Sequence, residues 1–349
     1  MRIAFFVNSI EGETATYTTT GLAFSALCRG HEVCYVTPAD FILRPDDSLW
    51  VRGRVLPAAK RYRKVQSLHA DLQGTETKID IVDAREIDVL FLRNDPSLDE
   101  GGRAWAAHVG AMFGRLAAAR GVVVLNDPDG LSLAQNKLYF QGFPRAVRPD
   151  TLISKSIDEI RAFVDSNPEG VILKPLQGSG GKNVFKIGST DEANLNQIFE
   201  AVSGEGYLIA QAYLPAATEG DIRLFLMNGR PLIRDGKYAA IRRVPTEGEV
   251  RSNIHASGTA VAVDVNTDVL AVAEVVRPKL VEDGMFLVGL DIVGDRILEI
   301  NVFTPGGLSV MRELYDVDFS DSIVEALERK IVHRNGNLGV LSNRAIATL

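Results

Sequence analysis

Short apolar runs alternate with amphipathic stretches along the first 125 residues of the chain. Four runs have the length and polar flanks of β-strands, and two longer stretches have the spacing of amphipathic helices. The strand-like runs cover residues 3–8, 32–37, 88–93 and 122–126, and the helix-like stretches cover residues 20–29 and 103–120. This alternation predicts parallel strands joined by crossover helices. Residues 38–80 are rich in Arg, Lys and Pro with weak periodicity, and we expect a partly irregular excursion there.

The turn Asn126-Asp127-Pro128 predicts a boundary, after which a helix is expected from residue 129 to about residue 140. A small α+β unit follows. Its predicted elements are a helix at 156–165, a strand at 170–174, a glycine-rich loop, a strand at 183–187, a helix at 191–203 and a strand at 207–211.

Two hairpins dominate the next part of the chain. The first is predicted from strands at 221–227 and 231–243, turned at Asn228-Gly229, and the second spans residues 286–302. Between them lie a polar loop at 244–258 and a helix at 267–283. The pattern therefore predicts an α/β protein with α+β subdomains. Its predicted parts are residues 1–125, 126–211 and 212–334, with residues 335–349 as a tail.

Composition narrows the function classes. The net charge of −7 and the sequence pI of about 5.4 argue against nucleic acid as the main partner, because phosphate contacts need a basic surface. No apolar stretch approaches the roughly 20 residues of a membrane span. Cys28 and Cys34 offer neither a disulfide framework nor a metal spacing, and the five histidines are scattered. We therefore expect a reducing, cytoplasmic setting and no membrane partner.

A glycine-rich segment, residues 174–182, reads KPLQGSGGK. Successive glycine amides can form an anion nest. The segment is not a P-loop, because Leu176 and Asn183 stand where that motif needs Gly and Ser or Thr. It is not a dinucleotide fingerprint either, because a strand follows where a helix should begin. Taken alone, the glycine-rich segment could be an ordinary turn. Lys174 is either a strand-edge residue whose ammonium group reaches solvent or a phosphate ligand.

The second hairpin carries three polar residues among apolar neighbours, in the run FLVGLDIVGDRILEIN. Glu299 and Asn301 are two residues apart and share a face. A three-residue loop at 294–296, which we choose, puts Asp291 opposite Glu299, whereas a two-residue loop would place them on opposite faces. Oxygen ligands of this kind suit Mg²⁺. The alternative is a hairpin with polar residues on its outer face.

Arginines form the third signal. Arg223 shares a strand face with Asp221, and Arg243 and Arg251 bracket the polar loop at 244–258. Arginine forks bind carboxylates and phosphates bidentately, although a solvated arginine-rich edge would look the same. A polar loop carrying an arginine also suits a lid over a reactive intermediate, and we predict one here.

In chain order, the segments QNKLYF, LKPLQGSGG, AQAYLP, GDIR, RSN and GLDIVGDRILEIN resemble those of the ATP-grasp ligases, most closely the bacterial glutathione synthetases. The resemblance runs from about residue 1 to residue 330. It implies an ATP-grasp fold preceded by a Rossmann-like pre-ATP-grasp domain. Residues 126–211 would be the small lid subdomain, and residues 212–334 would hold the metal site.

The resemblance also implies roles for single residues. Nucleotide contacts would come from Lys137, Lys174, Gly178, Ser179, Gly180, Gly181, Ala210, Gln211, Tyr213 and Leu214. Mg²⁺, or Mn²⁺ in its place, would be held by Asp291, Glu299 and Asn301. Substrate contacts would come from Asp221, Arg223, Arg243, Arg251, Pro305, Gly306 and Gly307. The catalytic groups would be Arg223, Arg243, Arg251 and Asn253.

The expected activity is an ATP- and Mg²⁺-dependent carboxylate–amine ligation through an acyl phosphate, with γ-glutamylcysteine and glycine as the first substrate pair. The chain departs from the family pattern at Asn94, at Gln177 and in the segment 302–308, VFTPGGL. The alternatives are therefore another ATP-grasp ligase with a different substrate pair, and a nucleotide-binding protein without ligase activity. The expected partners are small molecules, and the family's habit implies a dimer or tetramer.

Overall fold

The fold is described here from a computed structural model, which covers residues 1–57, 60–74, 77–178, 183–188, 192–204, 206–245, 259–337 and 339–349. Within these ranges the strands form three main sheets and one short two-stranded ribbon. The helices pack on and between the sheets.

The first sheet is built from the amino-terminal part of the chain. Its described strands are β1 (Arg2–Phe6), β2 (Glu32–Val36), β3 (Phe41–Leu43), β4 (Leu49–Leu56), β5 (Lys78–Asp83), β6 (Val89–Leu92) and β7 (Val123–Leu125). Strands β2, β1, β6 and β7 are parallel neighbours, which confirms the four predicted strands. The helices here are α1 (Thr18–Cys28), α2 (Val65–Gln73) and α3 (Val109–Ala118). The predicted helix at 103–120 is α3 preceded by a 3₁₀ turn, Gly101–Ala106.

The predicted excursion at residues 38–80 is partly irregular, as expected, but it also contains strands β3 and β4, helix α2 and the start of β5, which the sequence did not indicate. Strand β4 pairs antiparallel with β2, β3 and β5, so the segment widens the sheet. Its period-2 pattern is real, because Leu49 and Val51 are buried while Arg52 is exposed. Gly53 lies so close to Cys34 that an added Cβ would come within 3.1 Å of the cysteine Cβ. The strand was not predicted because arginines on its solvent face weaken the apolar periodicity of the sequence.

The second sheet is small and antiparallel, in the order β10-β9-β11-β8. Its strands are β8 (Thr151–Ser154), β9 (Val171–Pro175), β10 (Phe185–Ile187) and β11 (Leu208–Ala212), and its helices are α5 (Ile157–Asp165) and α6 (Glu192–Ser203). The single helix predicted at 129–140 is instead α4 (Pro128–Leu133) followed by a 3₁₀ helix, Lys137–Gly142. Asn136 caps that second helix, since its Oδ1 accepts from the amide of Leu138 at 3.0 Å.

The third sheet runs in the order β17-β16-β12-β18-β19, with β13 also on β12. Its strands are β12 (Asp221–Met227), β13 (Arg230–Pro231), β16 (Ala240–Val244), β17 (Thr259–Ala262), β18 (Leu287–Val293) and β19 (Arg296–Asn301). The ribbon is β14 (Ile233–Arg234) with β15 (Lys237–Tyr238). The later helices are α7 (Thr267–Glu282), α8 (Leu308–Tyr315), α9 (Phe319–Gly336) and α10 (Asn343–Thr348).

The first predicted hairpin is correct at its turn and wrong in its return strand. Asn228 and Gly229 both have positive φ, 54° and 72°, as a tight hairpin turn requires. The return strand predicted at 231–243 is interrupted, because the ribbon β14–β15 stands between β13 and β16.

Part of the predicted tail, residues 335–349, belongs to helices, since α9 continues to Gly336 and α10 packs against the rest of the chain through the buried Ile346 and Ala347. Lys330 of α9 is fully buried, and its Nζ donates to the carbonyls of Ile346 at 3.1 Å and Leu349 at 2.9 Å. A cation at the carboxyl end of α10 is favourable. Asn343 also donates to the carbonyl of Val124 at 3.0 Å, which ties α10 to β7.

Three apolar cores underlie the fold. Two of them mix side chains of the first sheet with side chains of the third sheet and its helices, for example Phe5 with Phe286, and Phe6 with Leu290. In the described part of the chain, the third core is formed by residues from within 152–210, between the small sheet and helices α5 and α6. The buried side chain of Asn126 joins the first and third sheets, since its amide bonds the backbone of Leu287 and Val302. The division into separate domains at residues 125 and 211 stays a prediction.

Candidate active site

A large cleft opens between the small sheet and the third sheet, with an empty volume of about 960 Å³ including its solvent-open part. Its walls come from β9 and β11, from the segment around Lys137, and from the end of β19. One edge is closed by Asp95, Pro96 and Ser97, from the loop after β6. Polar and apolar groups both line it, as in sites that bind nucleotides or other small ligands.

Two of the predicted phosphate ligands lie in this cleft. Lys174 on β9 donates from Nζ to Oε1 of Gln211 on β11 at 2.9 Å. Burial lowers the pKa of Lys174 to about 8, although the carboxylate of Glu299 opposes the shift. Burial also lowers the pKa of Lys137, whose Nζ donates to the carbonyl of Gly178 at 2.8 Å. The two ammonium groups are thus gathered in a desolvated place where an anion would stabilise both.

The glycine-rich segment is described only at its start. Gly178 has a φ of +112°, which favours glycine, and its carbonyl faces Lys137. The predicted contacts at Ser179, Gly180 and Gly181 lie outside the described residues. Gln177, at a position where this chain departs from the family pattern, lines the cleft and is exposed.

The predicted adenine strip lies partly in the cleft. Gln211 lines it, whereas the side chain of Ala210 is fully buried in the core of the small sheet. Tyr213 and Leu214 are not among its lining residues, and the Tyr213 ring lies under Lys186, with the ammonium 3.4 Å from the ring centroid. Ala210 is not among the residues that line the cleft, and its backbone lies in a strand that pairs with β8 and β9.

The metal hairpin was predicted correctly in its pairing and wrongly in its loop. Val293 pairs with Arg296, so the loop contains only Gly294 and Asp295. Asp291 nevertheless lies opposite Glu299, because a register shift beside Asp291 inserts one extra residue on β19. The bulge restores the face that a two-residue loop alone would have reversed.

Asp291 is the centre of a buried ion network. Arg223 donates from Nε and Nη2 to its two carboxylate oxygens, each at 2.7 Å, and Arg243 approaches Oδ2 at 2.8 Å. Arg243 also donates from Nε to Asp221 at 2.9 Å. Burial alone would raise the pKa of Asp291, but the two guanidinium groups outweigh it and hold the pKa at about 2.

The hairpin residues fit a hard cation such as Mg²⁺. Glu299 is half-buried, lines the cleft and accepts no hydrogen bond from any described residue. Among the described residues, the Oδ1 atom of Asp291 accepts from Arg223 alone, which leaves it a lone pair, whereas Oδ2 accepts also from Asn301 Nδ2 at 3.2 Å. Among described residues, no three His, Cys, Asp or Glu side chains converge on a metal position, so the donor set depends on an amide oxygen or on nucleotide phosphates.

Of the three predicted substrate arginines, two lie in the ion network and the third lies outside the described residues. Arg223 and Arg243 are brought together with Asp221 around Asp291, with little exposed surface on either guanidinium. Arg251, Asn253 and most of the predicted lid at 244–258 lie outside the described residues.

The segment after β19 contains the predicted contacts Pro305, Gly306 and Gly307. Gly307 precedes α8 with a φ of +124°, a conformation that favours glycine. Arg223 donates from Nη1 to the carbonyl of Gly306 at 3.3 Å, so the segment is attached to the ion network.

Sequence reasoning missed the contribution of the amino-terminal part to the cleft. Asp95 lines the cleft and acts electrostatically on Lys137. Arg93, two residues earlier, is buried and reaches the segment after β19. The available signal was a pair of charged residues directly after the apolar run of β6, because strand ends at the carboxyl edge of a parallel sheet are where ligands bind.

Comparison with known proteins now identifies the family. Residues 1–132 match the prokaryotic glutathione synthetase N-terminal domain, and residues 136–316 match the prokaryotic glutathione synthetase ATP-grasp domain. The glutathione synthetase of Synechococcus elongatus is 31% identical over 337 residues, which are 94% of this chain and 98% of the relative. That of Vibrio parahaemolyticus is 30% identical over 307 residues, 87% and 90% of the two chains.

The chain belongs to the prokaryotic glutathione synthetase family. This confirms the resemblance noted in the sequence. As a member of the glutathione synthetase family, the protein is an ATP-dependent, ADP-forming ligase that makes a C–N bond.

Solved structures agree on the fold. A structure of the ATP-grasp ligase PsnB with minimal precursor, Mg and ADP has a TM-score of 0.57 at 16% identity, covering 94% of this chain and 98% of that one. D-alanyl-alanine synthetase A from Vibrio cholerae has a TM-score of 0.56 at 12% identity, covering 95% and 98%. The predicted ATP-grasp fold is therefore confirmed. In the ranges described, no helix is long and apolar enough to cross a bilayer.

Proposed function

We propose that this member of the glutathione synthetase family joins γ-glutamylcysteine to glycine while ATP is converted to ADP and phosphate. The observation that carries the proposal is the convergence of Lys137, Lys174 and Glu299 on one cleft. Two desolvated ammonium groups beside a carboxylate with no hydrogen-bonding partner among described residues suit a triphosphate and its divalent cation.

The two lysines would hold the triphosphate and neutralise charge that builds up during phosphoryl transfer. Mg²⁺, held by Glu299 with Asp291 and Asn301 near it, would shield the phosphate oxygens and draw charge from the leaving group. Because the substrate's own carboxylate attacks the γ-phosphorus, no protein nucleophile is required. This step gives an acyl phosphate and ADP.

The second step needs a group that receives negative charge on the acyl carbon's oxygen when the amine attacks. Arg223 is the described candidate, since its Nη1 carries a second N–H besides the one that bonds the carbonyl of Gly306, while Nε and Nη2 are held by Asp291. Arg243 has its guanidinium between Asp221 and Asp291 and would act by holding them in place. Arg251 and Asn253 keep their predicted roles over the acyl phosphate, on sequence grounds alone.

The substrate pair rests on the family and on its named relatives. A coupled assay of ADP release with ATP, Mg²⁺, γ-glutamylcysteine and glycine tests it directly. A panel of other carboxylate and amine pairs, run in parallel, tests the departures at residues 302–308.

We expect the γ-glutamylcysteine–glycine pair to give the highest kcat/KM, with glutathione as the product. A higher value for another pair would reassign the substrate and leave the ligase chemistry in place. Absence of ADP release with every pair would overturn the proposal.

A further inference from the structure

Arg93 is a charged residue that makes its described contacts entirely inside the protein. Only 3% of it is exposed, and its guanidinium reaches from the end of β6 to the segment after β19. Nη2 donates to the carbonyl of Pro305 at 3.0 Å and Nη1 to that of Phe303 at 3.5 Å. Nε donates to Oγ1 of Thr19, at the start of α1, at 3.3 Å. One side chain therefore joins the first sheet, α1 and the segment that follows the metal hairpin.

Arg223 holds the same segment from the third sheet, through the carbonyl of Gly306. In a planar trans peptide, the carbonyl of one residue and the N–H of the next point in opposite directions. With the carbonyl of Pro305 facing Arg93, the N–H of Gly306 points away from that guanidinium. The N–H of Gly307 likewise points away from Arg223. Neither N–H has an acceptor among the described residues.

The charge on Arg93 is not needed simply to tie two parts of the chain together. None of the described carboxylates lies within ion-pair distance of it, and the nearest electrostatic counterpart is the buried Glu13. Burial lowers the pKa of Arg93 to about 10 despite that carboxylate. Burying a charge without a paired partner is costly, so a neutral side chain would make a more stable link. Unlike a neutral side chain, a guanidinium offers several N–H donors in a fixed fork, which can bind two carbonyls at once.

We propose that Arg93 is a positioning residue for the ligase reaction, which orients the turn at 303–307 so that the amides of Gly306 and Gly307 face the carboxylate-bearing substrate. The inference rests on the proposed function, in that a carboxylate substrate must dock beside the metal hairpin. Arg93 itself touches no reacting atom. Arg93 does not line the nucleotide cleft, although Phe303, whose carbonyl it holds at 3.5 Å, does. Its shorter hydrogen bond is to Pro305, directly before the two glycine amides, so we expect a larger effect on binding of the carboxylate substrate than on binding of the nucleotide.

The competing explanation is that Arg93 only fastens the first sheet to the third. In that case its removal would lower the unfolding temperature and affect both substrates alike. The two explanations differ in which KM changes, so steady-state kinetics separate them.

The test compares Arg93→Met with Arg93→Lys, using Arg103→Met as the matched control. Arg103 belongs to the same amino-terminal part, pairs with Asp99 and does not line the nucleotide cleft. For each variant, KM for the carboxylate substrate, KM for ATP, kcat and the thermal midpoint are measured. Isothermal calorimetry of the carboxylate substrate, with a non-hydrolysable ATP analogue present, provides a readout that does not depend on turnover.

We expect Arg93→Met to raise KM and the calorimetric Kd for the carboxylate substrate at least tenfold, with KM for ATP within about twofold of wild type. Arg93→Lys keeps the charge but loses the fork, and should give an intermediate rise. Arg103→Met should behave as wild type. Equal changes in both KM values, or a lower thermal midpoint with unchanged KM values, would overturn the proposal.

A second variant leaves Arg93 intact. Gly306→Pro removes one of the two amides, and nothing lies within 4 Å of an added Cβ at this position. It should also raise KM for the carboxylate substrate selectively, and an unchanged value would count against the amide contact.

All comparisons use the carboxylate substrate that the wild-type enzyme turns over. An error in the proposed substrate pair would therefore appear in the wild-type panel, separately from the Arg93 result.

Discussion

Arg223 donates both Nε and Nη2 to the carboxylate of Asp291, with each N–O distance 2.7 Å. The carboxylate predicted from the sequence as a metal ligand is thus also the anion that holds two buried arginines in place. Its removal would leave the buried Arg223 without its carboxylate partner and Arg243 with Asp221 as its remaining one among the described residues. The site and the stability of the fold are coupled through this one side chain.

Asp291→Asn should therefore destabilise the protein as well as reduce activity. Removing one member of a buried ion pair costs about 3–5 kcal/mol, because the remaining charge stays desolvated. Urea unfolding should show a loss of that order. Asp295→Asn, in the exposed turn of the same hairpin, should change the unfolding free energy by less than about 0.5 kcal/mol. A loss below about 1 kcal/mol for Asp291→Asn would contradict the network.

Glu299→Gln should reduce turnover and leave the stability of the fold nearly unchanged. Its carboxylate accepts no hydrogen bond from the described residues, so the unfolding free energy should stay within about 1 kcal/mol of wild type. Turnover should fall by at least about a hundredfold, because the cation loses a charged ligand. Magnesium titration of ADP release provides the measurement. Wild-type turnover at ordinary magnesium concentration would show that Glu299 is not a ligand.

Lys174→Met should weaken ATP binding. A hydrogen bond to a charged group is worth about 1.5–3 kcal/mol, which corresponds to a rise in the ATP Kd of about 10- to 150-fold. Equilibrium binding by calorimetry measures this without turnover. Lys155→Met changes an exposed lysine on the same part of the chain and should leave the Kd unchanged. Equal Kd values for the two variants would remove Lys174 from the phosphate site.

The affinity for ATP should also depend on pH in the alkaline range. Burial lowers the pKa of Lys174 to about 8 in the free protein, and bound phosphate favours its charged form. Binding then takes up a proton, so affinity is fully present below pH 8 and declines as the pH rises through 8. The slope of log Kd against pH should approach one between pH 8.5 and pH 9.5. Lys174→Arg keeps its charge throughout this range and should abolish the slope.

Glu13 should make stability depend on pH near neutrality. Burial raises the pKa of Glu13 to about 7 from its ordinary value of 4.5, despite the opposing charge of Arg93. A raised carboxyl pKa contributes stability that is fully present below pH 4.5 and is lost as the pH rises through 7. Glu13→Gln should therefore become more stable relative to wild type between pH 5 and pH 8, by up to about 3 kcal/mol. Glu11→Gln, at an exposed neighbour, should show no such trend.

Local patterns predicted most elements of the fold, and their failures have physical causes. The strands of the first sheet and the Asn228-Gly229 turn follow from short-range sequence signals. Strand β4 was missed because its solvent face carries arginines, which weaken the apolar periodicity. The facing of Asp291 and Glu299 was right although the loop length was wrong. Burial of the apolar face determines the register, and a bulge absorbs the difference in loop length.

The contacts that complete the site are long-range and could not be predicted from spacing. Lys174 on β9 donates a hydrogen bond to Gln211 on the neighbouring strand β11, and Arg93 donates to carbonyls more than two hundred residues further along the chain. A charged residue after a buried strand indicates a site at that edge of the sheet. It does not indicate which carbonyl or carboxylate the side chain will reach, because that depends on how the sheets pack.

The separate core of the small sheet has a consequence for motion. Its apolar side chains all lie between residues 152 and 210, whereas the other two cores each combine the first and third sheets. A rotation of the small sheet about its connections near residues 149 and 214 would leave this core intact, and would change how far Ile209, which lines the cleft, is covered. Lys174 would travel with it and Glu299 would not. We therefore expect ATP binding to change the width of the cleft, and the distance between Lys174 and Glu299 is the quantity that would report this change.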